Sequence, residues 1–317
     1  MTPAAADENI TPPPPQPGTP VLSDWRNPGP FQLASDSWAR AAPFLALRST
    51  HRHNLSMKSY EYLELFREGA VLHVRMAREP VNAFNVAMYV EMRDAFATVL
   101  DEWPDARAVV LSSACQHFCA GNDFEDFKTM TPENARERMF HVREAFFAIQ
   151  DCALPVIGAV HGAALGTGLA IAASCDIVIA AEGAQFGLPE IAMAVMGGAT
   201  HLSRLVPQPL VRRMFLTGRP VELETLYRVG GIDEIVPREE LLSAASSLAA
   251  DIAAYSPTAL RVAKHVLNAI ETMDIKRGYE FEQGWSVYMS GHPDQKEAVH
   301  AFKERRKPDY ASPSRRL

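Results

Sequence analysis

Two glycine-bearing stretches decide the fold of this chain: Phe118-Cys119-Ala120-Gly121-Asn122-Asp123 and His161-Gly162-Ala163-Ala164-Leu165-Gly166-Thr167-Gly168. Each stretch follows a strand-like apolar run, so each can present free backbone N–H groups where a strand gives way to a helix. Two such donors from separate strands can converge on one oxygen atom, which is the arrangement of an oxyanion hole. The pattern therefore indicates an enzyme that transforms an acyl group.

The composition is that of an ordinary folded protein. The chain has 317 residues, of which 47% are hydrophobic and 22% charged, and its net charge is −7. This balance disfavours nucleic acid or an anionic membrane as the main partner. No apolar run approaches the roughly 20 residues that a membrane helix needs, and the N-terminus does not show the layout of a secretory signal.

The four cysteines are sparse and lie mostly in apolar surroundings. This usage is typical of reduced thiols, so we expect a reducing compartment and a cytoplasmic protein. Cys115, His117 and Cys119 could suggest a metal, but their spacing matches no zinc template. We therefore expect no metal site.

Three segments differ in character. Residues 1–57 contain the proline-rich run Thr11-Pro12-Pro13-Pro14-Pro15-Gln16-Pro17, which predicts a disordered tail. We expect the native protein to begin near Met57, the upstream part being either dispensable or the result of a misassigned start site. Residues 58–240 alternate short strands with short helices, which predicts an α/β core. Residues 241–317 have no strand signal and predict a helical region.

Hydrophobic periodicity places the main elements. Leu72, Val74 and Met76 alternate with polar residues, which predicts a half-buried strand. Nearly continuous apolar runs predict buried strands at Ala108–Leu111, Pro155–Val160 and Ile177–Ala180. Helical spacing predicts a helix with Met88, Met92, Phe96 and Val99 on one face, and a second over Pro132–Ile149 with Met139, Val142, Phe146 and Ile149 on one face.

The second glycine stretch also allows a different interpretation. Gly162, Gly166 and Gly168 have the spacing of a dinucleotide-binding loop, and Glu182 follows the next strand where a ribose-binding acid would lie. The helix after the loop is too short for a usual crossover, however, and the chain has no Tyr-x-x-x-Lys pair. A third possibility is that the glycines only permit close packing of helix and strand.

The chain resembles the crotonase superfamily, the enoyl-CoA hydratase/isomerase family, over about residues 58–310. Several motifs occur in the family's order, and together they are highly specific. They are Pro80–Ala83, Phe118–Asp123, Pro155–Gly162, Ser174–Ile177, Ala184–Glu190, Leu216–Gly218 and the tail from Asp294 to Pro308.

The resemblance implies a crotonase-type spiral of repeated β-β-α units, with a C-terminal helical region that builds trimers, often paired into hexamers. It implies an acyl-CoA thioester as substrate, so coenzyme A is part of the substrate and no cofactor is tightly bound. The oxyanion donors are the backbone N–H groups of Asn122 and of Thr167, where relatives usually have glycine. A backbone donor tolerates that change because the N–H group remains.

The resemblance also suggests which residues contact coenzyme A. Ala83 and the segment Ala120, Gly121, Asp123 and Phe124 are expected along the coenzyme A channel. Phe302 and Arg305 could reach the coenzyme A of a neighbouring subunit. Arg305 suits a phosphate contact, although a solvated charge cluster is the alternative for this part of the chain.

The catalytic carboxylates depart from the family's pattern. Glu190 matches the family's catalytic glutamate; alternatively, it is a helix-start carboxylate stabilised by exposed N–H groups. The other hydratase glutamate is replaced by Ala170, and the position of a third acidic group in some relatives is Gly198.

A single glutamate favours some reactions of the family over others. Hydration usually holds water between two carboxylates, whereas moving a double bond requires one base that takes and returns a proton. We therefore expect double-bond isomerisation or atypical hydration of an enoyl-CoA, with Glu190 as the acid and base. The alternatives are a conventional enoyl-CoA hydratase, a hydroxycinnamoyl-CoA hydratase-lyase and a non-catalytic acyl-CoA-binding protein.

Overall fold

The computed structural model describes residues 58–310, and the predicted tail over residues 1–57 lies outside them, as do residues 311–317. The strands are β1 (Leu63–Glu68), β2 (Val71–Met76), β3 (Ala108–Ser113), β4 (Val156–Val160), β5 (Ala163–Leu165), β6 (Ile177–Ala181), β7 (Gln185–Gly187) and β8 (Glu234–Val236). The helices are α1 (Val86–Ala97), α2 (Val99–Glu102), α3 (Phe124–Lys128), α4 (Pro132–Gln150), α5 (Thr167–Ser174), α6 (Ala199–Leu205), α7 (Gln208–Thr217), α8 (Leu223–Arg228), α9 (Leu241–Ala253), α10 (Pro257–Ile270), α11 (Ile275–Ser290) and α12 (Pro293–Glu304). A 3₁₀ helix spans Pro189–Met193.

The strands form two sheets. The larger sheet has the order β1-β2-β3-β4-β6-β8, in which only β1 and β2 are antiparallel. The smaller sheet pairs β5 with β7 in parallel, and Cys119 extends it through a parallel bridge to Ala164. Along the chain, β3, β4 and β6 join the larger sheet, and Cys119, β5 and β7, which follow them in turn, join the smaller one. A helix comes after each of these pairs. This is the predicted α/β architecture of repeated β-β-α units.

The larger sheet is covered on both faces. Val109 and Leu111 of β3 belong to one apolar cluster, whereas Ala108 and Val110 belong to a second cluster on the opposite face. Burial on both faces explains the nearly continuous apolar sequence of these parallel strands. It also corrects one expectation, because β2 is not half-buried: His73 is only 6% exposed.

Helices α1 and α4 pack against each other over the first apolar cluster. Met88, Met92 and Phe96 are buried, as predicted. The predicted face of α4 is wrong at its N-terminal end: Met139 is 43% exposed, whereas the neighbouring Arg138 is only 7% exposed. The cause is that Arg138 pairs with Asp126, so a polar contact determines the orientation of this turn.

The helical sequence beyond residue 240 does not form one separate layer. Helix α9 packs on β2, β3, β4 and β6 and completes the second apolar cluster. Helix α10 is held to the start of β6 by an ion pair between Lys264 and Asp176. Helices α11 and α12 follow and contact each other.

Two further findings concern the cysteines and the helices. All four cysteines are buried free thiols. Among residues 58–310, no helix is both long enough and apolar enough to cross a membrane.

Candidate active site

The two glycine-bearing stretches lie side by side. The Cys119 N–H donates to Ala163 O at 2.9 Å, and the Leu165 N–H donates to Cys119 O at 3.0 Å. This parallel register aligns the stretches, so Asn122 and Thr167 each lie three residues beyond the Cys119–Ala164 bridge. The fold therefore brings the two predicted donor segments together, although 45 residues separate them in sequence.

Both predicted donor groups are free. Thr167 is the first residue of α5, with Gly166 as the N-cap, and the first N–H groups of a helix have no partner within it. In the described part of the chain, no acceptor is found for the Asn122 N–H either. The N-terminus of α5 adds the positive end of its dipole. An oxygen that gains negative charge would be stabilised at this point.

Strand pairing positions Glu190 beside these donors. Leu165 of β5 pairs with Gly187 of β7, and the chain enters the 3₁₀ helix two residues after β7. An ideal Cβ on Gly166 would lie 2.6 Å from Glu190 Oε1. The carboxylate thus lies directly against the residue that precedes Thr167.

The surroundings of Glu190 suit proton transfer. Its Oε2 atom is buried and has no hydrogen-bond partner among residues 58–310. Burial raises the pKa of the Glu190 carboxyl, and a hydrogen bond from its own backbone N–H opposes that increase. The helix-start contact considered for this residue is therefore present, but desolvation is the larger effect. A carboxyl with a raised pKa can both accept and return a proton near neutral pH.

A tyrosine joins the two donor residues. The Tyr89 hydroxyl on α1 lies 2.7 Å from Asn122 Oδ1 and 2.6 Å from Thr167 Oγ1. Arg138 Nη2 also donates to Asn122 Oδ1, at 3.3 Å, and Arg138 Nη1 pairs with Asp126. No sequence pattern distinguishes this tyrosine, because a tyrosine on the apolar face of a helix is typical of a core residue.

The segments expected along the coenzyme A channel also meet. The Phe84 N–H donates to Gly121 O at 2.9 Å, and the Asp123 N–H donates to Phe84 O at 2.8 Å. Ala83, next to Phe84, is therefore adjacent to the Gly121–Asp123 backbone. Nearby, the Ala120 N–H donates to Val81 O at 3.0 Å.

Arg78 ties these two segments together. It donates to Ala83 O and forms an ion pair with Asp123 at 2.6 Å. Arg78 holds the pKa of the Asp123 carboxyl below its usual value, so Asp123 is a charged anchor for the loop. Phe124, the next residue, is 59% exposed.

Phe302 and Arg305 lie on a different helix from the candidate site. Both are at the C-terminal end of α12, where Phe302 is 85% exposed and Arg305 is the C-cap. Within the described range, no hydrogen bond or ion pair connects either residue to the Glu190 region. Their contact with coenzyme A across a subunit boundary stays a prediction.

The two departures from the carboxylate pattern have different surroundings. Ala170 lies inside α5 and is 2% exposed. Gly198 has a φ of +76°, and an ideal Cβ there would lie 2.5 Å from Leu188 Cδ2. A side chain at position 198 would therefore have to adopt a left-handed backbone conformation and shift the side chain of Leu188.

A cavity of about 300 Å³ opens between the ends of α1, α3 and α4. Its lining is mixed polar and apolar. It is formed by Val86, Asp126, Thr129, Met130, Asn134, Glu137, Arg138 and His141.

Known proteins are similar to this chain in sequence and in fold. Residues 67–313 match the family model described as enoyl-CoA hydratase/isomerase. The chain is 37% identical over 224 residues to a Mycobacterium tuberculosis protein, covering 70% of this chain and 90% of that protein. That relative is named (7aS)-7a-methyl-1,5-dioxo-2,3,5,6,7,7a-hexahydro-1H-indene-carboxyl-CoA hydrolase.

A hydratase and a solved structure are also similar. The crotonyl-CoA hydratase of Syntrophomonas wolfei is 31% identical over 259 residues, covering 80% of this chain and 99% of that protein. The crystal structure of an enoyl-CoA hydratase from Bacillus anthracis superimposes with a TM-score of 0.75 at 28% identity, covering 80% of this chain and 100% of that one. These similarities confirm the crotonase-type fold.

Proposed function

The chain belongs to the enoyl-CoA hydratase/isomerase family, and from this premise we propose that it shifts the double bond of an enoyl-CoA through a thioester enolate. One observation carries the proposal: the buried carboxylate of Glu190, whose Oε2 atom has no hydrogen-bond partner among residues 58–310, lies against Gly166, the residue before Thr167. The candidate base thus lies in space against the residue that directly precedes one of the oxyanion donors.

The reaction requires two proton transfers. The Glu190 carboxylate removes a proton from the carbon next to the thioester carbonyl of a 3-enoyl-CoA. The C–H electron pair enters the conjugated system, and the negative charge collects on the thioester oxygen, held by the N–H groups of Asn122 and Thr167. Glu190 then returns the proton two carbons away, which gives a 2-enoyl-CoA. A lost oxyanion donor commonly costs about 3 kcal/mol of transition-state stabilisation.

The absence of a second acid favours this reaction over ordinary hydration. Ala170 replaces one hydratase glutamate by a methyl group, and Gly198 supplies no side chain at the position of another acid. The neighbouring carboxylates of Asp123 and Asp126 are engaged with Arg78 and Arg138. Hydration is therefore possible here only in an atypical form, with water activated by Glu190 alone.

A second candidate is hydrolysis of a keto-substituted ring thioester. It is favoured by the similarity to the hydrolase of Mycobacterium tuberculosis, whose named substrate is a dioxo-indene carboxyl-CoA. In this reaction Glu190 would take a proton from water, and the hydroxide would add to a ring ketone. The adjacent ring C–C bond would then break to leave a carboxylic acid, its electron pair would pass into the thioester as an enolate, and Glu190 would return the proton to carbon. The same oxyanion donors would hold the thioester oxygen.

Product analysis separates these reactions. Purified protein is incubated with a 3-enoyl-CoA, a 2-enoyl-CoA and the dioxo-indene thioester, and the products are identified by mass spectrometry and ultraviolet absorbance. We expect turnover of the 3-enoyl-CoA, and a loss of at least 10³-fold in Glu190→Gln because the base is absent. Glu182→Gln is the matched control, since Glu182 is an exposed glutamate after β6.

Three outcomes would contradict the proposal. Turnover only of the dioxo-indene thioester would select the hydrolase. Equal turnover by wild type and Glu190→Gln would remove Glu190 from the mechanism. Tight binding of the esters without exchange of the α-proton in heavy water would indicate a non-catalytic acyl-CoA-binding protein.

A further inference from the structure

The hydrogen bonds around Asn122 have fixed directions. A guanidinium group only donates, so the Asn122 side-chain atom that faces Arg138 is its oxygen. Tyr89 must then donate its only hydroxyl proton to Asn122, because that oxygen only accepts. Thr167 in turn donates its hydroxyl proton to Tyr89. The result is a directed chain from Thr167 through Tyr89 to Asn122.

The centre of this chain is dry and rigid. Tyr89 is 0% exposed and Thr167 is 4% exposed, so water does not compete for these hydrogen bonds. The ring of Tyr89 lies 4.9 Å from the ring of Phe84 and 6.1 Å from that of Phe146, measured between centroids. Burial raises the pKa of the Tyr89 hydroxyl, which keeps it neutral and able to donate.

The two linked residues carry the proposed oxyanion donors on different parts of the chain. Asn122 lies in the loop before α3, and Thr167 begins α5. The distance between their N–H groups determines whether both reach one oxygen atom, and misplacement by about 1 Å can cost about 100-fold in rate. A buried hydroxyl that binds both side chains can hold that distance.

We propose that Tyr89 is a positioning residue for the thioester site, whose hydroxyl holds Asn122 and Thr167 at the separation that lets both N–H groups bind the enolate oxygen. This inference rests on the proposed function for the identity of that oxygen. The inference also gives the Thr167 side chain a role of its own. The oxyanion contact uses only the backbone N–H of this residue, whereas the hydroxyl would hold that N–H in place.

The kinetic test is a double-mutant cycle with Tyr89→Phe, Thr167→Val and the double variant. Each single variant removes one hydroxyl with little change in volume, so the ring and methyl packing persist. We expect kcat to fall about tenfold in each single variant with KM changed less than twofold, because the contact acts on the transition state. The double variant should lose no more than a single one, since all three break the same chain.

Tyr60→Phe is the matched control. Its hydroxyl is also buried, but it has no hydrogen-bond partner in the described structure. We expect unchanged kcat in this variant. A tenfold loss of kcat in Tyr60→Phe, or additive losses in the cycle, would overturn the inference.

A spectroscopic measurement tests the inference independently of turnover. The carbonyl stretch of a bound 2-enoyl-CoA, followed by Raman difference spectroscopy, moves to lower frequency when oxyanion donors polarise the thioester. We expect a smaller shift in Tyr89→Phe and in Thr167→Val than in the wild type. A full shift in both variants overturns the inference alone, whereas no shift in the wild type overturns the oxyanion assignment and the inference with it.

Discussion

The carboxylate of Glu190 occupies the space into which a side chain on Gly166 would project. Glu190 Oε1 lies 2.6 Å from the ideal Cβ position of Gly166, which has a φ of +55°. The position of the candidate base therefore requires a glycine at residue 166, although 24 residues separate Gly166 from Glu190 in sequence.

Gly166→Ala should displace Glu190 and lower turnover by about 100-fold, because the base loses its position. The positive φ should also cost about 1–3 kcal/mol of stability. Gly69→Ala is the control, since Gly69 has a φ of +58° and open space around its Cβ position. Steady-state kinetics and urea denaturation measure both effects. Wild-type turnover in Gly166→Ala would contradict the proposed position of the base.

The activity should depend on the ionisation of Glu190. Burial raises its pKa above the ordinary value of 4.5, and the base must be ionised to accept a proton. We therefore expect kcat/KM to fall as the pH decreases through a midpoint above 4.5. A pH profile of kcat/KM on a 3-enoyl-CoA measures the midpoint. A midpoint at or below the ordinary value would argue against a desolvated base.

The Glu190 carboxyl should also make the stability of the fold depend on pH. Its ionisation increases activity as the pH rises but decreases stability. The folded-state pKa of Glu190 is raised, so its contribution to stability is fully present below the unfolded pKa and is lost as the pH rises through the folded pKa. We expect Glu190→Gln to be more stable than wild type at pH 7, with the difference vanishing below about pH 4. Denaturation at several pH values measures this, with Glu182→Gln as the exposed control. A wild type that is more stable than Glu190→Gln at pH 7 would contradict the desolvation of this carboxylate.

The ion pair of Lys264 should contribute strongly to the docking of α10. Lys264 is 4% exposed and donates to Asp176, whose carboxylate also accepts the Val156 N–H at 2.7 Å. Lys264→Met leaves that carboxylate without its cation and should destabilise the fold by about 3 kcal/mol. The exposed Lys276 supplies the control Lys276→Met, for which we expect a change within about 0.5 kcal/mol. Chemical denaturation measures the stability of both variants. Equal unfolding midpoints for Lys264→Met and Lys276→Met would refute the contribution expected of the ion pair.

A carboxylate should not be accommodated at Gly198. Gly198→Asp must displace Leu188, which is fully buried, and should cost about 2 kcal/mol more than Gly230→Asp. Gly230 has a similar φ of +81° but nothing within 4 Å of its Cβ position. Thermal denaturation compares the two variants. Equal stability together with new hydratase activity in Gly198→Asp would show that the site accepts a second acid.

Much of the fold follows from local sequence. The predicted limits of α4 differ from those in the structure by one residue, because a helix is specified by its own periodicity and its flanking residues. Periodicity did not predict that Arg138 rather than Met139 turns inward. That choice depends on Asp126, which belongs to another helix.

The candidate site also combines features that local sequence predicts with features that depend on tertiary packing. The sequence by itself determined the family and the strand-turn-helix segments that carry Asn122 and Thr167, and it pointed to Glu190 as the candidate base, since these features are written in contiguous motifs. Only the tertiary structure decided that the Tyr89 hydroxyl links Asn122 and Thr167, which lie 33 and 78 residues from it. The reason is physical: a motif fixes the local backbone, whereas the partner of a buried polar group is chosen by the packing of distant segments.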